Sequence, residues 1–96
     1  MKSSPKKICV VGLGYMGLPF SCLLAKAGFD VVGFDVDKKR VDDVNNSICP
    51  FNEKGLFELL KSAIASKKLR ASTEIETADV FIISVPTPFT KEHKAD

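Results

Sequence analysis

The chain has 96 residues, enough for one small hydrophobic core, and it is 45% hydrophobic and 27% charged, as is usual for a globular protein. Its formal net charge of +2 is too small a bias to indicate nucleic acid or an anionic membrane as a partner. Cys9, Cys22 and Cys49 form no Cys-x-x-Cys pair, which argues against a disulfide framework or a metal site. No apolar run reaches the ~20 residues of a membrane helix, and the sequence predicts a cytoplasmic protein.

The first third of the chain predicts a strand, a helix and a second strand. Residues 7–11 are a β-branched apolar run that ends at Gly12, which indicates a buried strand. Apolar residues with helical spacing follow, and Gly28 is placed to end that helix. The residues of this stripe are Met16, Phe20, Leu23, Leu24 and Ala27. Residues 31–34 form a second buried strand, which ends at Asp35.

The rest of the chain predicts two more helices and two more strands. Asp37 is placed to cap a helix that runs to about Asn46, with Val41 and Val44 facing inward. Leucine, alanine and isoleucine at positions 56, 59, 60, 63 and 64 have helical spacing and predict a third helix. Residues 69–71 predict a weak strand, and Val80–Val85 is the strongest strand signal in the chain. This α/β alternation predicts a partial, doubly wound parallel sheet of about four strands in the order 3-2-1-4.

The turn after the first strand carries the most specific motif. Residues 12–17 read Gly-Leu-Gly-Tyr-Met-Gly, between a buried strand and an amphipathic helix. Gly12 permits the tight turn, Gly14 allows close approach of a pyrophosphate, and Gly17 lets the helix pack against the sheet. The free N–H groups near Tyr15 and Met16 face the phosphates, with the helix dipole behind them. The pattern predicts a dinucleotide-binding turn, and the alternative is a glycine-rich turn without a ligand.

An acidic residue at the end of the second strand bears on the choice of dinucleotide. Asp35 lies 21 residues after Gly14, where a carboxylate accepts hydrogen bonds from the adenosine ribose and repels a 2′-phosphate. The sequence therefore favours NAD over NADP. Arg40 is a candidate to flank the adenine ribose. The alternatives are a capping carboxylate at Asp35 and, for Lys38, Lys39 and Arg40, the solvated face of a short helix.

The opposite wall of the site is predicted where the fourth strand ends. Ligands of doubly wound sheets bind outside the carboxyl ends of the strands, where the chain reverses direction between strands 1 and 4. Val85, Pro86 and Thr87 follow the fourth strand and should line this crevice, unless they form an ordinary proline-rich loop. No catalytic residue and no metal site is predicted, and His93, the single histidine, lies in a charged tail.

These motifs resemble the UDP-glucose/GDP-mannose dehydrogenase family. The resemblance covers the chain from about Lys7 onward, through Gly-Leu-Gly-Tyr-Met-Gly-Leu-Pro at 12–19, Gly-Phe-Asp-Val-Asp at 33–37, Val-Asn at 44–45, Glu-Lys-Gly-Leu at 53–56 and Val-Pro-Thr-Pro at 85–88. The last run, followed by a charged stretch and Ala-Asp at 95–96, looks most like UDP-N-acetylmannosamine dehydrogenases. UDP-N-acetylglucosamine dehydrogenases are similar there. The chain departs from the family at Ser47, where glycine is usual, and at Lys54, where proline is frequent.

The resemblance implies an NAD-dependent enzyme of polysaccharide biosynthesis that oxidises the C6 hydroxyl of a UDP-sugar to a carboxylate in two steps. The family's catalytic cysteine lies far C-terminal to this sequence, and none of its three cysteines matches that motif. Residues 1–96 therefore resemble the N-terminal half of a dinucleotide-binding domain, and the end at Asp96 favours an inactive fragment of a longer enzyme. Val80–Val85 would then present an unpaired edge, which predicts homodimers or aggregates. The alternatives are a stand-alone Rossmann nucleotide-binding module and a structural domain that binds nothing.

Overall fold

The computed structural model describes residues 6–84, which form one parallel sheet with helices on one face. The elements, in chain order, are β1 (Lys7–Val11), α1 (Gly17–Lys26), β2 (Asp30–Phe34), α2 (Lys38–Asn45), α3 (Leu56–Ala65), β3 (Leu69–Ser72) and β4 (Val80–Ile83). The strand order is β3-β2-β1-β4 and all neighbours are parallel, which confirms the predicted α/β topology. Within 6–84 no helix has both the length and the apolar character that a membrane crossing requires.

The hydrophobic core lies between the three helices and one face of the sheet. Both crossovers, β1-α1-β2 and β2-α2-α3-β3, advance in the same direction, so their right-handedness places all three helices on the same side. The buried strand residues of this core alternate with residues that point to the other face. They are Ile8 and Val10 of β1, Val31 of β2, and Leu69 and Ala71 of β3. The capped helix predicted after Asp37 is confirmed, and its Val41 and Val44 are buried in this core.

The apolar stripe predicted for α1 has the right period, but most of its residues lie on the exposed face. Met16 is 72% exposed, Phe20 42% and Leu23 51%, whereas the buried residues of the helix are Gly17, Leu18, Ser21, Cys22 and Ala25. Four of those five are small. The helix therefore approaches the sheet closely, and Met16, Phe20 and Leu23 are left on the outer side, whereas Leu24 of the same stripe packs against the core.

The fourth strand is shorter and more exposed than its sequence predicts. β4 covers Val80–Ile83 rather than Val80–Val85, although the N–H of Ser84 still donates to the carbonyl of Val11 at 2.7 Å. Val85 lies outside the described residues. Ile82 packs against the core, while Phe81 and Ile83 point to the face that carries no helix and are 46% and 66% exposed. Among residues 6–84, β4 has only β1 as a neighbour, which explains this exposure.

The segment from residue 73 to 79 crosses the second face of the sheet and is held there by an ion-pair network. It connects β3 to β4, which lie on opposite sides of β2 and β1. Glu76, in this segment, accepts from Lys7 of β1 at 3.1 Å and from both terminal nitrogens of Arg70 of β3. Cys9 and Val32, which point to this face, are at most 1% exposed.

The two cations hold the pKa of Glu76 at about 2, below its ordinary value of 4.5. The carboxylate therefore stabilises the fold above about pH 4.5, and this contribution disappears as the pH falls toward 2. Between pH 5 and pH 2 we expect the free energy of unfolding to fall by about 1 kcal/mol more in the wild type than in the Glu76→Gln variant, which has no carboxylate to protonate. The difference is modest because partly exposed ion pairs contribute little to stability. Urea unfolding at a series of pH values measures the difference. Glu74→Gln, in the same segment, is the control and should follow the wild type.

The two edges of the sheet differ. The outer edge of β3 is covered by Asn45 at the end of α2, whose side-chain oxygen accepts from the N–H of Ala71 at 2.9 Å and whose amide donates to the Ala71 carbonyl at 3.0 Å. Both outward backbone groups of Ala71 are thereby satisfied. Within residues 6–84 no side chain covers the outer edge of β4 in this way.

Candidate functional site

The turn between β1 and α1 is built as the glycine pattern predicts. Gly12 has φ of +106°, in the region that favours glycine, and its N–H donates to the carbonyl of Phe34 at 2.8 Å. This bond joins the carboxyl ends of β1 and β2, so the turn and the residues after β2 lie side by side. Ser84, one residue beyond β4, lies against the same turn: its Oγ is 3.2 Å from the position that a Cβ on Gly17 would take.

Open space and unused donors surround the middle of the turn. A Cβ added at Gly14 would meet no atom within 4 Å. The N–H groups of Gly14, Tyr15, Met16 and Gly17 find no acceptor among residues 6–84. They lie at the N-terminus of α1, where the helix dipole favours negative charge. This arrangement suits an anion that approaches the backbone closely, as a pyrophosphate does.

Gly17 has a different reason to be glycine. A Cβ at this position would lie 1.9 Å from the carbonyl oxygen of Gly12, a distance that no real structure tolerates. Gly17 is therefore required for α1 to start directly against the turn, in agreement with the packing role that the sequence predicts for it.

Asp35 is fixed at the carboxyl end of β2 by two backbone donors. Its Oδ2 accepts from the N–H of Leu13 at 2.9 Å, and its Oδ1 accepts from the N–H of Asp37 at 2.9 Å. A carboxylate has about four acceptor positions, so these two bonds orient the group and leave capacity for ribose hydroxyls. The capping alternative describes Asp37 instead, which accepts from the N–H groups of Lys39 and Arg40.

The basic triplet on α2 divides into two kinds of residue. Lys38 and Lys39 form exposed i,i+4 ion pairs with Asp42 and Asp43 and belong to the solvated face of the helix. Arg40 instead reaches the turn, where its Nη1 donates to the carbonyl of Leu13 at 2.6 Å. Its guanidinium also lies 4.9 Å from the centre of the Phe51 ring. Arg40 and Asp35 thus meet at the backbone of one residue, Leu13.

From the sequence alone we did not identify the roles of Leu13 and of Gly33, against which the Leu13 side chain packs. Leu13 is fully buried, and a Cβ at Gly33 of β2 would lie 2.5 Å from one of its methyl groups. The leucine side chain thus lies over Gly33, and this fixes the peptide that bonds Asp35 and Arg40. The signal was present as an apolar residue between two glycines and a glycine inside a strand.

Two of the three cysteines lie in the interior. Cys9 and Cys22 have no exposed surface, and burial raises the pKa of the Cys22 thiol to about 11. Burial likewise raises the pKa of Cys9. Both groups are therefore protonated at neutral pH and are poor nucleophiles. Among residues 6–84 no group of three metal-ligating side chains comes together.

A cavity on another part of the surface does not coincide with the turn. It is a groove of about 570 Å³ between α1 and α3, with Lys26, Lys68 and Glu58 among its lining residues. The turn, rather than this groove, holds the open approach to Gly14, the unused backbone donors and the Asp35 carboxylate. Val85, Pro86 and Thr87, which the sequence places on the far wall of the site, lie outside the described residues.

Comparison with known proteins identifies the group to which this fold and turn belong. A family model described as the NAD-binding domain of the UDP-glucose/GDP-mannose dehydrogenase family matches residues 6–96. A UDP-N-acetyl-D-mannosamine dehydrogenase from Methanococcus vannielii is 52% identical over 87 residues, which are 91% of this chain and 20% of that protein.

Solved structures agree with this match. The UDP-N-acetyl-mannosamine dehydrogenase Cap5O from Staphylococcus aureus is 48% identical with a TM-score of 0.83, over 85% of this chain and 20% of that one. A GDP-mannose dehydrogenase from Pseudomonas aeruginosa is 32% identical with a TM-score of 0.83, over 88% of this chain and 20% of that one. The chain spans about a fifth of the length of these relatives. It belongs to the UDP-glucose/GDP-mannose dehydrogenase family and lies within the NAD-binding domain of that family.

Proposed function

We propose that the turn of residues 12–17 holds the pyrophosphate of NAD and that the residues after β2 hold its adenosine. The observation that carries this is the open space at Gly14 next to unused N–H groups at the start of α1. Asp35 would accept from the ribose hydroxyls and exclude a 2′-phosphate, and Arg40 would flank the same ribose. Val85, Pro86 and Thr87 would form the opposite wall.

The residues of this chain bind and orient the cofactor and take no chemical step themselves. NAD, when bound, accepts a hydride from the substrate alcohol. The backbone donors at Tyr15 and Met16 would fix the pyrophosphate, and the carboxylate of Asp35 would set the position of the adenosine. We expect residues 1–96 alone to show no dehydrogenase activity, because the chain spans about a fifth of the length of its relatives and none of its cysteines matches the catalytic cysteine motif of the family.

We infer that the longer protein oxidises the C6 hydroxyl of a UDP-sugar, with UDP-N-acetylmannosamine as the favoured substrate. Support comes from the names of relatives that are 48–54% identical to this chain. UDP-N-acetylglucosamine and UDP-glucose are the alternatives. We also propose a cytoplasmic location, since nucleotide sugars are charged and do not cross membranes unaided, and a role in polysaccharide biosynthesis, which the family resemblance implies. The net charge of +2 supports neither nucleic acid nor a membrane as a partner.

Calorimetric titration of the chain with NAD and with NADP tests the cofactor assignment. We expect saturable binding of NAD and binding of NADP weaker by about tenfold or more, because the carboxylate of Asp35 opposes the 2′-phosphate. Absence of NAD binding by a chain that circular dichroism shows to be folded would overturn the assignment. Equal binding of the two cofactors would remove the role given to Asp35.

We also propose that two copies of the chain pair through β4. The support is that no strand within residues 6–84 pairs with the outer edge of β4, together with the exposure of Phe81 and Ile83. Sedimentation equilibrium should show concentration-dependent association of the wild type, and Phe81→Lys should shift the chain toward the monomer. Phe57, on α3, is 46% exposed like Phe81 and provides the matched control. If Phe57→Lys reduces association as much as Phe81→Lys does, pairing through β4 is wrong. The same holds if the wild type is monomeric at every concentration measured.

A further inference from the structure

Three side chains join the glycine-rich turn to the loop of residues 46–55 between α2 and α3. The hydroxyl of Tyr15 donates to Oε2 of Glu53 at 2.5 Å. The Tyr15 ring meets the Phe51 ring edge to face, with their centres 5.5 Å apart and an interplanar angle of 81°. We call Tyr15, Phe51 and Glu53 the latch.

The latch touches the candidate site through Arg40. The guanidinium of Arg40 lies over the same Phe51 ring that Tyr15 contacts, at 4.9 Å from its centre. Phe51 therefore contacts both the side chain of Tyr15 in the turn and the side chain of Arg40, which reaches the turn from α2. Arginine has many rotamers, and a planar partner on one side restricts them.

The backbone of the loop limits where Phe51 can lie. Phe51 is partly buried against the core, and its carbonyl accepts from the thiol of Cys49 at 3.2 Å. Ser47, near the start of the loop, has φ of +60°. The remaining freedom of the aromatic ring is restricted by Tyr15, whose own orientation depends on the carboxylate of Glu53.

We propose that the latch positions Arg40 for the nucleotide: the Tyr15–Glu53 hydrogen bond holds the two rings together, and the Phe51 ring holds the guanidinium beside the ribose. The inference rests on the proposed binding of NAD adenosine next to Asp35 and Arg40. Tyr15 then acts twice, with its N–H toward the pyrophosphate and its side chain on the loop. The side chains of the three latch residues have a positioning role, since none of these side chains needs to touch the nucleotide.

A double-mutant cycle with ADP-ribose as the probe separates positioning from general support of the fold. We expect Tyr15→Phe, which removes only the hydroxyl, to weaken ADP-ribose binding about fivefold when Arg40 is present. In the Arg40→Gln background the same change should have almost no effect, because the latch then has no side chain to position. Thermal unfolding of Tyr15→Phe should match the wild type, since an exposed hydrogen bond contributes little to stability.

The latch also has a spectroscopic signature that needs no ligand. Tyr15 is the single tyrosine of the chain and there is no tryptophan, so phenolate absorbance reports this residue alone. The hydrogen bond to Glu53 raises the pKa of Tyr15 above its ordinary value of 10. Glu53→Gln should lower the pKa of Tyr15 toward 10 and should weaken ADP-ribose binding in the same way as Tyr15→Phe. Lys39→Gln, on the solvated face of α2, is the control and should change neither quantity.

The outcomes separate the latch from the function on which it rests. If the folded wild type does not bind ADP-ribose, the proposed function is wrong and the latch has no nucleotide role. If the wild type binds and Tyr15→Phe weakens binding by the same factor in the wild-type and in the Arg40→Gln background, the role of positioning Arg40 is overturned. An unchanged pKa of Tyr15 in Glu53→Gln would show that the hydrogen bond of the latch is absent in solution.

Discussion

Gly14→Val is expected to abolish NAD binding by the chain while leaving its fold intact. The added side chain would enter the space that the pyrophosphate needs, so we expect the affinity to fall about 100-fold or more. The fold should tolerate the change, because a Cβ at this position meets no atom within 4 Å. Calorimetry measures the loss of binding, and circular dichroism with thermal unfolding measures the fold.

Gly14→Ala is the graded companion of this variant and should weaken NAD binding less than Gly14→Val does. Retention of wild-type affinity by folded Gly14→Val would mean that the nucleotide does not approach the turn. A large drop in thermal stability would instead contradict the open space found at this glycine.

Gly17→Ala should show the opposite pattern, with a large loss of stability. Its Cβ would lie 1.9 Å from the carbonyl oxygen of Gly12, which is backbone and cannot rotate away. Either the first turn of α1 or the glycine-rich turn must shift, and we expect the free energy of unfolding to fall by about 3 kcal/mol, the upper end for overpacked positions. Urea unfolding of Gly17→Ala beside Gly14→Ala measures the difference, with one methyl group added at each of two neighbouring glycines. Equal stability of the two variants would contradict the close approach of α1 to the turn.

Much of the fold could be predicted because local signals and tertiary structure agree in most of the chain. Asp37 caps α2 through its side chain, as an aspartate before a helical stripe should. The outer stripe of α1 shows where this reasoning fails, since Met16, Phe20 and Leu23 have the correct spacing and lie on the exposed side. Periodicity identifies a helix, whereas the buried face depends on how closely the helix can approach the sheet, and here the small residues decide it.

The candidate site likewise contains some residues whose position the sequence predicts and others whose role it does not. The glycines and Asp35 stand at fixed distances along the chain, so their spacing predicts where they lie. Phe51 and Glu53 act through contacts between segments that are distant in sequence, and a single sequence carries no direct record of such contacts. Ser47 is an intermediate case: the family resemblance marks it as a departure from glycine, and its φ of +60° gives the physical reason for glycine there.

The unequal edges of the sheet limit the size of any assembly built by strand pairing. Asn45 occupies the backbone groups of Ala71, so among residues 6–84 the outer edge of β4 is more open to a further strand than the outer edge of β3. Two copies that meet through β4 use the open edge of each, and the edges left at both ends of the joined sheet are the covered ones. Such a contact is two-fold symmetric and closes on itself. Self-association through β4 is therefore expected to stop at the dimer instead of continuing into fibres.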